Sequence, residues 1–200
     1  MEGRTRFSRQ TFPRPSGIQK TMIKKILAVL VVVVVVVLIV AAMQPDGFTV
    51  ARSATIAAPP AVVFAQVNDL RKWQAWSPWA KIDPAAKMTF EGPAGGAGAS
   101  YTWSGNSKVG EGTMTITESR PDELVRFKLD FRKPFAATNS AEFLFKPEGG
   151  QTVVTWSMSG NRNLMFKAVG LFRSCDKMIG PDFEKGLASL KDVAEGAAKH

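Results

Sequence analysis

One cysteine and one histidine occur in 200 residues. Cys175 alone allows no internal disulfide and no cysteine-based zinc site. The only histidine, His200, is the last residue, where a chain end frays. A Ser-His-Asp triad, a histidine general base and a histidine-rich metal site are thereby excluded. No metal or cofactor is expected. Concentrated charge is scarce too. The net charge of +9 comes mostly from residues 1–25, with seven bases against Glu2. The remainder carries about +3, dispersed and without a basic stripe or interleaved aromatics, so nucleic acid is not an expected partner.

A long apolar run is present once. Ile26 to Met43, "ILAVLVVVVVVVLIVAAM", is eighteen residues without a polar side chain. As a helix it spans about 27 Å, close to the hydrocarbon thickness of a bilayer. Val31 to Val37 favours strand in water, but lipid demands internal backbone bonding and so selects helix. Arg4, Arg6, Arg9, Arg14, Lys20, Lys24 and Lys25 precede the run, and only Arg52 follows it closely. The positive-inside rule then puts the N-terminus in the cytoplasm and residues 44–200 on the extracytoplasmic side of the inner membrane. A cleaved signal peptide is the rival, with Val40-Ala41-Ala42 as its site. The length of the run favours an uncleaved, single-pass anchor over 22–43. Residues 1–21 are polar, basic and interrupted by Pro13, Pro15 and Gly17, which predicts disorder. "MIKKILAVL" from Met22 resembles the way such a segment begins, and makes Met22 a possible true start. "QPDG", 44–47, is a turn-rich linker.

Residues 48–200 read as one domain. "FTVARSATIAAPP" alternates Phe48, Val50, Ala54 and Ile56 against Thr49, Ala51, Ser53 and Thr55, which predicts a strand ended by Pro59-Pro60. Pro60 suits a first helical turn, so "PAVVFAQVNDLRKWQAW" is predicted helical with a break near Asn68-Asp69. From Lys87 onward about six strands follow. "EGTMTITES", "DELVRFKLDF", "SAEFLFKP" and "QTVVTWSMSG" each have one apolar and one largely polar face, the mark of an antiparallel sheet covered on one side. Near the end, Phe172, Cys175, Ile179, Phe183, Leu187, Leu190, Ala194 and Ala197 recur at steps of three and four. That stripe predicts one amphipathic helix kinked at Pro181, or two stacked segments.

This order, with "IAAPPAVVFAQVNDLRKW", "TFEGPAGGAGASYTWSGNSKVGEGTMTI" and "DFEKGLASLKD", resembles the START-like superfamily, also labelled SRPBCC or polyketide cyclase-like, over residues 48–195. The resemblance implies an α+β helix-grip fold: a curved antiparallel sheet wrapped on a long C-terminal helix, with two short helices after the first strand. It also implies a hydrophobic cavity between helix and sheet. Members bind lipids, sterols, quinones, hormones or polyketides, and only some are enzymes.

Catalytic signals are few. Glu91, Glu111, Glu118, Asp130 and Glu142 fall at or beside wet-face strand positions. The glycines of "GPAGGAGAS" lack the Gly-Lys-Ser/Thr and the following helix that a phosphate loop needs. Arg52 is the one charge on the inward parity of the first strand, where it either meets an acidic ligand group or caps a carboxylate. Arg52, Tyr101 and Asp83 are the weak candidates for any cyclase-like catalysis, which would proceed mainly by folding the substrate. The expected ligand-binding set is Trp76, Trp79, Tyr101, Trp103, Met114, Phe127, Phe143, Trp156, Met158, Phe183 and Leu187. For Tyr101, Trp103, Trp156 and Met158, cavity lining and ordinary core differ only in whether the space is filled. Trp73 is expected in the core. Trp76 and Trp79 are expected at a portal, or as a plug stapling the short helices to the sheet. Three functions stay open: a tethered binder of a hydrophobic small molecule or lipid, a cyclase-like enzyme, and a ligand-free envelope scaffold.

Overall fold

The computed structural model describes residues 17–171 and 173–199. The readings for residues 1–16, Phe172 and His200 lie outside these. The chain divides into two compact units, Met1–Met43 and Gln44–His200. In the first, helix α1 runs Gly17–Ala42. Residues 17–21, expected to be disordered, extend this helix instead. No proline follows Pro15 there, and lengthening a helix costs far less than nucleating one. Met22–Ala42 is long and apolar enough to cross a membrane.

The second unit runs β1 (Gly47–Ile56), α2 (Pro60–Asn68), a 3-10 turn (Leu70–Lys72), α3 (Trp73–Trp76), β2 (Lys87–Glu91), β3 (Ser100–Ser104), β4 (Glu111–Arg120), β5 (Leu124–Lys133), β6 (Ala137–Glu148), β7 (Gln151–Asn161), α4 (Leu164–Gly170) and α5 (Cys175–Ala197). All seven strands form one sheet in the order β1-β7-β6-β5-β4-β3-β2. Every pairing is antiparallel. This is the curved sheet, long C-terminal helix and pair of short helices of a helix-grip fold. The break after Asn68 falls where expected, with the Asp69 carboxylate accepting the Arg71 N–H at 3.0 Å. Pro181 lies inside a single α5. Helix α4 is an addition that periodicity did not reveal.

The inner sheet face is apolar strand by strand: Val50 and Ile56, Met114 and Ile116, Phe127, Phe143 and Phe145, Val154 and Trp156, all buried. Opposite them α5 contributes Phe183, Leu187, Leu190 and Ala194. Each Val, Ile, Leu, Phe or Met side chain so buried stabilises the fold by roughly 1.5–3 kcal/mol. The outer face is wet. There Arg126 bridges Glu118 and Glu142, and Lys133 pairs with Glu111 at 2.8 Å. Exposed pairs of this kind contribute little.

Two glycines set close approaches. A Cβ at Gly186 would lie 2.7 Å from the Trp156 ring, so its absence lets α5 settle onto that indole. A Cβ at Gly112 would collide with the Trp103 ring, which lies across β4 there.

Candidate functional site: an apolar pocket between sheet and helix

The tryptophan-rich stretch explains one wall. Helix α2 ends at Asn68, and its last carbonyls have no partner within the helix. The Trp73 indole donates to the Val67 carbonyl at 2.8 Å, and the Trp76 indole donates to the Gln66 carbonyl at 3.1 Å. Two of the orphan acceptors of the helix end are thus satisfied by rings that also fill the core. Trp76 is only 2 % exposed and packs against Trp73, Phe143 and Trp156 with centroids 4.4 to 5.9 Å apart. It is not at a portal: its indole is committed to α2, which draws the ring inward. Trp79, beyond Pro78, is half-buried and meets Trp156 edge-on at 5.7 Å.

Next to this wall is a pocket of about 480 Å³ between the inner sheet face, the α3 loop, the β5–β6 loop, α4 and the first half of α5. Trp73, Trp79, Tyr101, Trp103, Met114 and Trp156 line it, together with Met158 and Phe183. Phe127, Phe143 and Leu187 do not; they are buried in the filled end of the core. Trp156 stands at the junction, stacked on Phe183 at 4.0 Å and on Phe143 at 4.8 Å. Leu129, Phe131 and Ala141, on the apolar parity of β5 and β6, and Phe166 of α4, which no parity singled out, complete the lining.

The three weak catalytic candidates are placed differently. Arg52 turns away from the pocket. Its guanidinium donates to Asp176 at 2.7 Å and to Glu184 at 2.7 Å, both on α5. Of the two readings of Arg52, these contacts are those of the arginine that caps a carboxylate, with acids that come from the chain itself and not from a ligand. Its guanidinium holds the Asp176 carboxyl below the usual carboxylate range. Asp83 borders the pocket, but its oxygens accept the Asn106 N–H at 2.7 Å and the Ala85 N–H at 3.2 Å. It staples two loops. Tyr101 is half-buried on the lining, and no hydrogen bond of its hydroxyl occurs among the described residues. Apolar surroundings push its phenol up to about 12. Because it is the only tyrosine of the chain, phenolate absorbance at 295 nm reads it directly. The folded protein is expected to titrate near 12 instead of the ordinary 10. Stability should fall as pH rises through that interval, since the unfolded chain loses its proton first. A midpoint near 10 in the folded protein would place Tyr101 in water.

Asn139 is the polar residue that sequence reasoning missed. It lies on the inner parity of β6, and its Oδ1 is buried without a hydrogen-bond partner. Gly160 faces it across the pairing with no side chain in the way. The signal was one of register: extending the β6 alternation back from Ala141 by two residues lands on it. Among the described residues no three metal-ligating side chains gather. A second groove, of about 650 Å³, lies on the outer face among exposed Thr49, Thr117, Lys128, Ser140 and Ser159. It is shallow and open, which leaves a ligand in water, so the more enclosed inner pocket is the better site.

The fold recurs in solved structures. A protein from Nitrosospira multiformis matches with a TM-score of 0.55 at 15% identity, over 76% of this chain and 100% of its own. One from Chromobacterium violaceum gives 0.54 at 13% identity, over 76% and 99%. DynU16, a protein of the dynemicin biosynthetic locus, gives 0.53 at 15% identity, over 78% of this chain and 49% of its own. No curated protein matches the chain. Residues 47–195 match a family profile described as polyketide cyclase / dehydrase and lipid transport, and the chain belongs to that family.

Proposed function

We propose that this protein is a membrane-tethered binder of a hydrophobic small molecule or lipid, held between the sheet and α5. The observation that carries the reading is the inner pocket. About 480 Å³ falls within the range of small-molecule sites, roughly 300–1,000 Å³. Its wall is mostly aromatic and aliphatic, with a minority of polar groups that include the Tyr101 hydroxyl, the Asn139 amide, Lys133 and Asp182, a composition that holds an apolar body and orients it by a few polar contacts. The description of the family, which includes lipid transport, is consistent with this. Helix α1 would hold the domain at the inner membrane, and the basic flank before it favours an extracytoplasmic domain. Tethering raises the concentration of the domain beside lipid. Titration of the full chain in detergent with N-phenyl-1-naphthylamine, a probe that fluoresces in apolar surroundings, tests the reading. Saturable enhancement at one site per chain is expected, and its absence would overturn the proposal.

A further inference from the structure

We infer that the face formed by the β5–β6 loop and α4 docks the domain on the bilayer that carries its own anchor, with anionic lipid as the surface it fits. The inference rests on the reading of α1 as a membrane span.

Three large apolar side chains of this loop and helix stand out in water: Phe135 at 53 %, Leu164 at 48 % and Val169 at 47 % exposure. Phe135, in the β5–β6 loop, meets Phe166 of α4 edge-on at 5.7 Å, so loop and helix form one apolar surface. Both phenylalanines also line the pocket, so the surface borders its opening.

Little chain separates the span from the turn beside this surface. Only residues 43–46 separate the end of α1 from β1. Fully extended, the five steps from Ala42 to Gly47 reach at most about 18 Å. The last of these residues are clamped to the turn that leads into α4. The Arg162 backbone N–H donates to the Asp46 carbonyl at 2.7 Å, and its guanidinium donates to the Pro45 carbonyl at 2.7 Å. Lys167, within α4, pairs with the Asp46 carboxylate. The tether between a span ending at Ala42 and the turn before α4 is therefore short.

Charge favours the same partner. Of the bases in residues 162–177, Lys167 is spent on Asp46 and the Arg162 guanidinium is turned to the Pro45 and Gly47 carbonyls, which leaves exposed Arg173 and Lys177 beside Asp176, itself paired with Arg52 at 2.7 Å. Apolar side chains flanked by bases are what an interface of acyl chains under anionic headgroups selects. Docked in this way, the pocket opens toward lipid, and an apolar ligand enters without crossing bulk water.

Full-length protein in vesicles of phosphatidylcholine and phosphatidylglycerol tests this. In a Cys175→Ser background, an environment-sensitive fluorophore is attached in turn at Phe135→Cys, Val169→Cys, Leu144→Cys and Val33→Cys. Leu144 is exposed on the outer sheet face and serves as the water reference. Doxyl-labelled lipid is expected to quench positions 135 and 169 at least about threefold more than 144, because docked side chains sit at the acyl boundary. Strong quenching at 33 with 135 and 169 equal to 144 overturns the docking inference and leaves the anchor standing. No quenching at 33 overturns the anchor itself. Either of the two labelled positions suffices should the other variant fail to fold.

Discussion

Replacing Trp156 with alanine is expected to destabilise the domain by about 3–5 kcal/mol, the cost of removing a large buried aromatic. Trp156 is 3 % exposed at the middle of β7. It lies flat on Phe183 of α5, with planes 7° apart, and is stacked on Phe143 of β6. Trp73, Trp76 and Trp79 each present an edge to it. One ring therefore ties the sheet, the α3 segment and α5 together, and Gly186 lets the helix approach it. Such aromatic pairs add about 0.5–1.5 kcal/mol beyond burial. Urea titration followed by near-ultraviolet circular dichroism measures the loss. Leu144→Ala, on the exposed outer face, is the reference and should change stability by no more than about 0.5 kcal/mol. Equal midpoints for the two variants would contradict the packing described for Trp156.

Ala141→Trp is expected to do the reverse: to abolish binding of an apolar probe while leaving the fold standing. Ala141 is 6 % exposed, lies between Asn139 and Phe143 on the inner parity of β6, and lines the pocket. An indole there enters empty space. In a filled core, forcing in that much extra volume would cost about 1–3 kcal/mol or more. Lost N-phenyl-1-naphthylamine enhancement with an unchanged urea midpoint is the expected pair of results. Lost stability with retained binding would mean that the space beside Ala141 is packed and that the ligand sits elsewhere.

The contrast between Trp76 and Trp79 shows what a sequence does and does not make legible. Pro78 correctly separates the two rings, and the loop aims Trp79 at the pocket. The inward turn of Trp76 follows from a bond to the Gln66 carbonyl ten residues earlier, which spacing does not encode. The strands were readable because one face is wet, so polarity alternates along each. Helix α4 was not: "LMFKAVG" is seven residues, apolar nearly all round, and shows no stripe. Asn139 was hidden for a related reason. β6 begins at Ala137, just beyond Lys133, Pro134 and Phe135, in a stretch that reads as loop. The inward parity of Arg52 was visible, but its partners Asp176 and Glu184 lie more than a hundred residues away and are supplied by the fold. Membership of the lining is harder still, because Phe143 and Trp156 share one face and differ only in whether space remains beside them.

The central claim is that the pocket holds an apolar molecule. The most direct measurement is organic extraction and mass spectrometry of the full chain purified in detergent, beside Ala141→Trp purified identically. The native protein is expected to yield one apolar species at close to one molecule per chain, and the variant none. Equal lipid content in the two preparations, or none in the native protein, would contradict the claim.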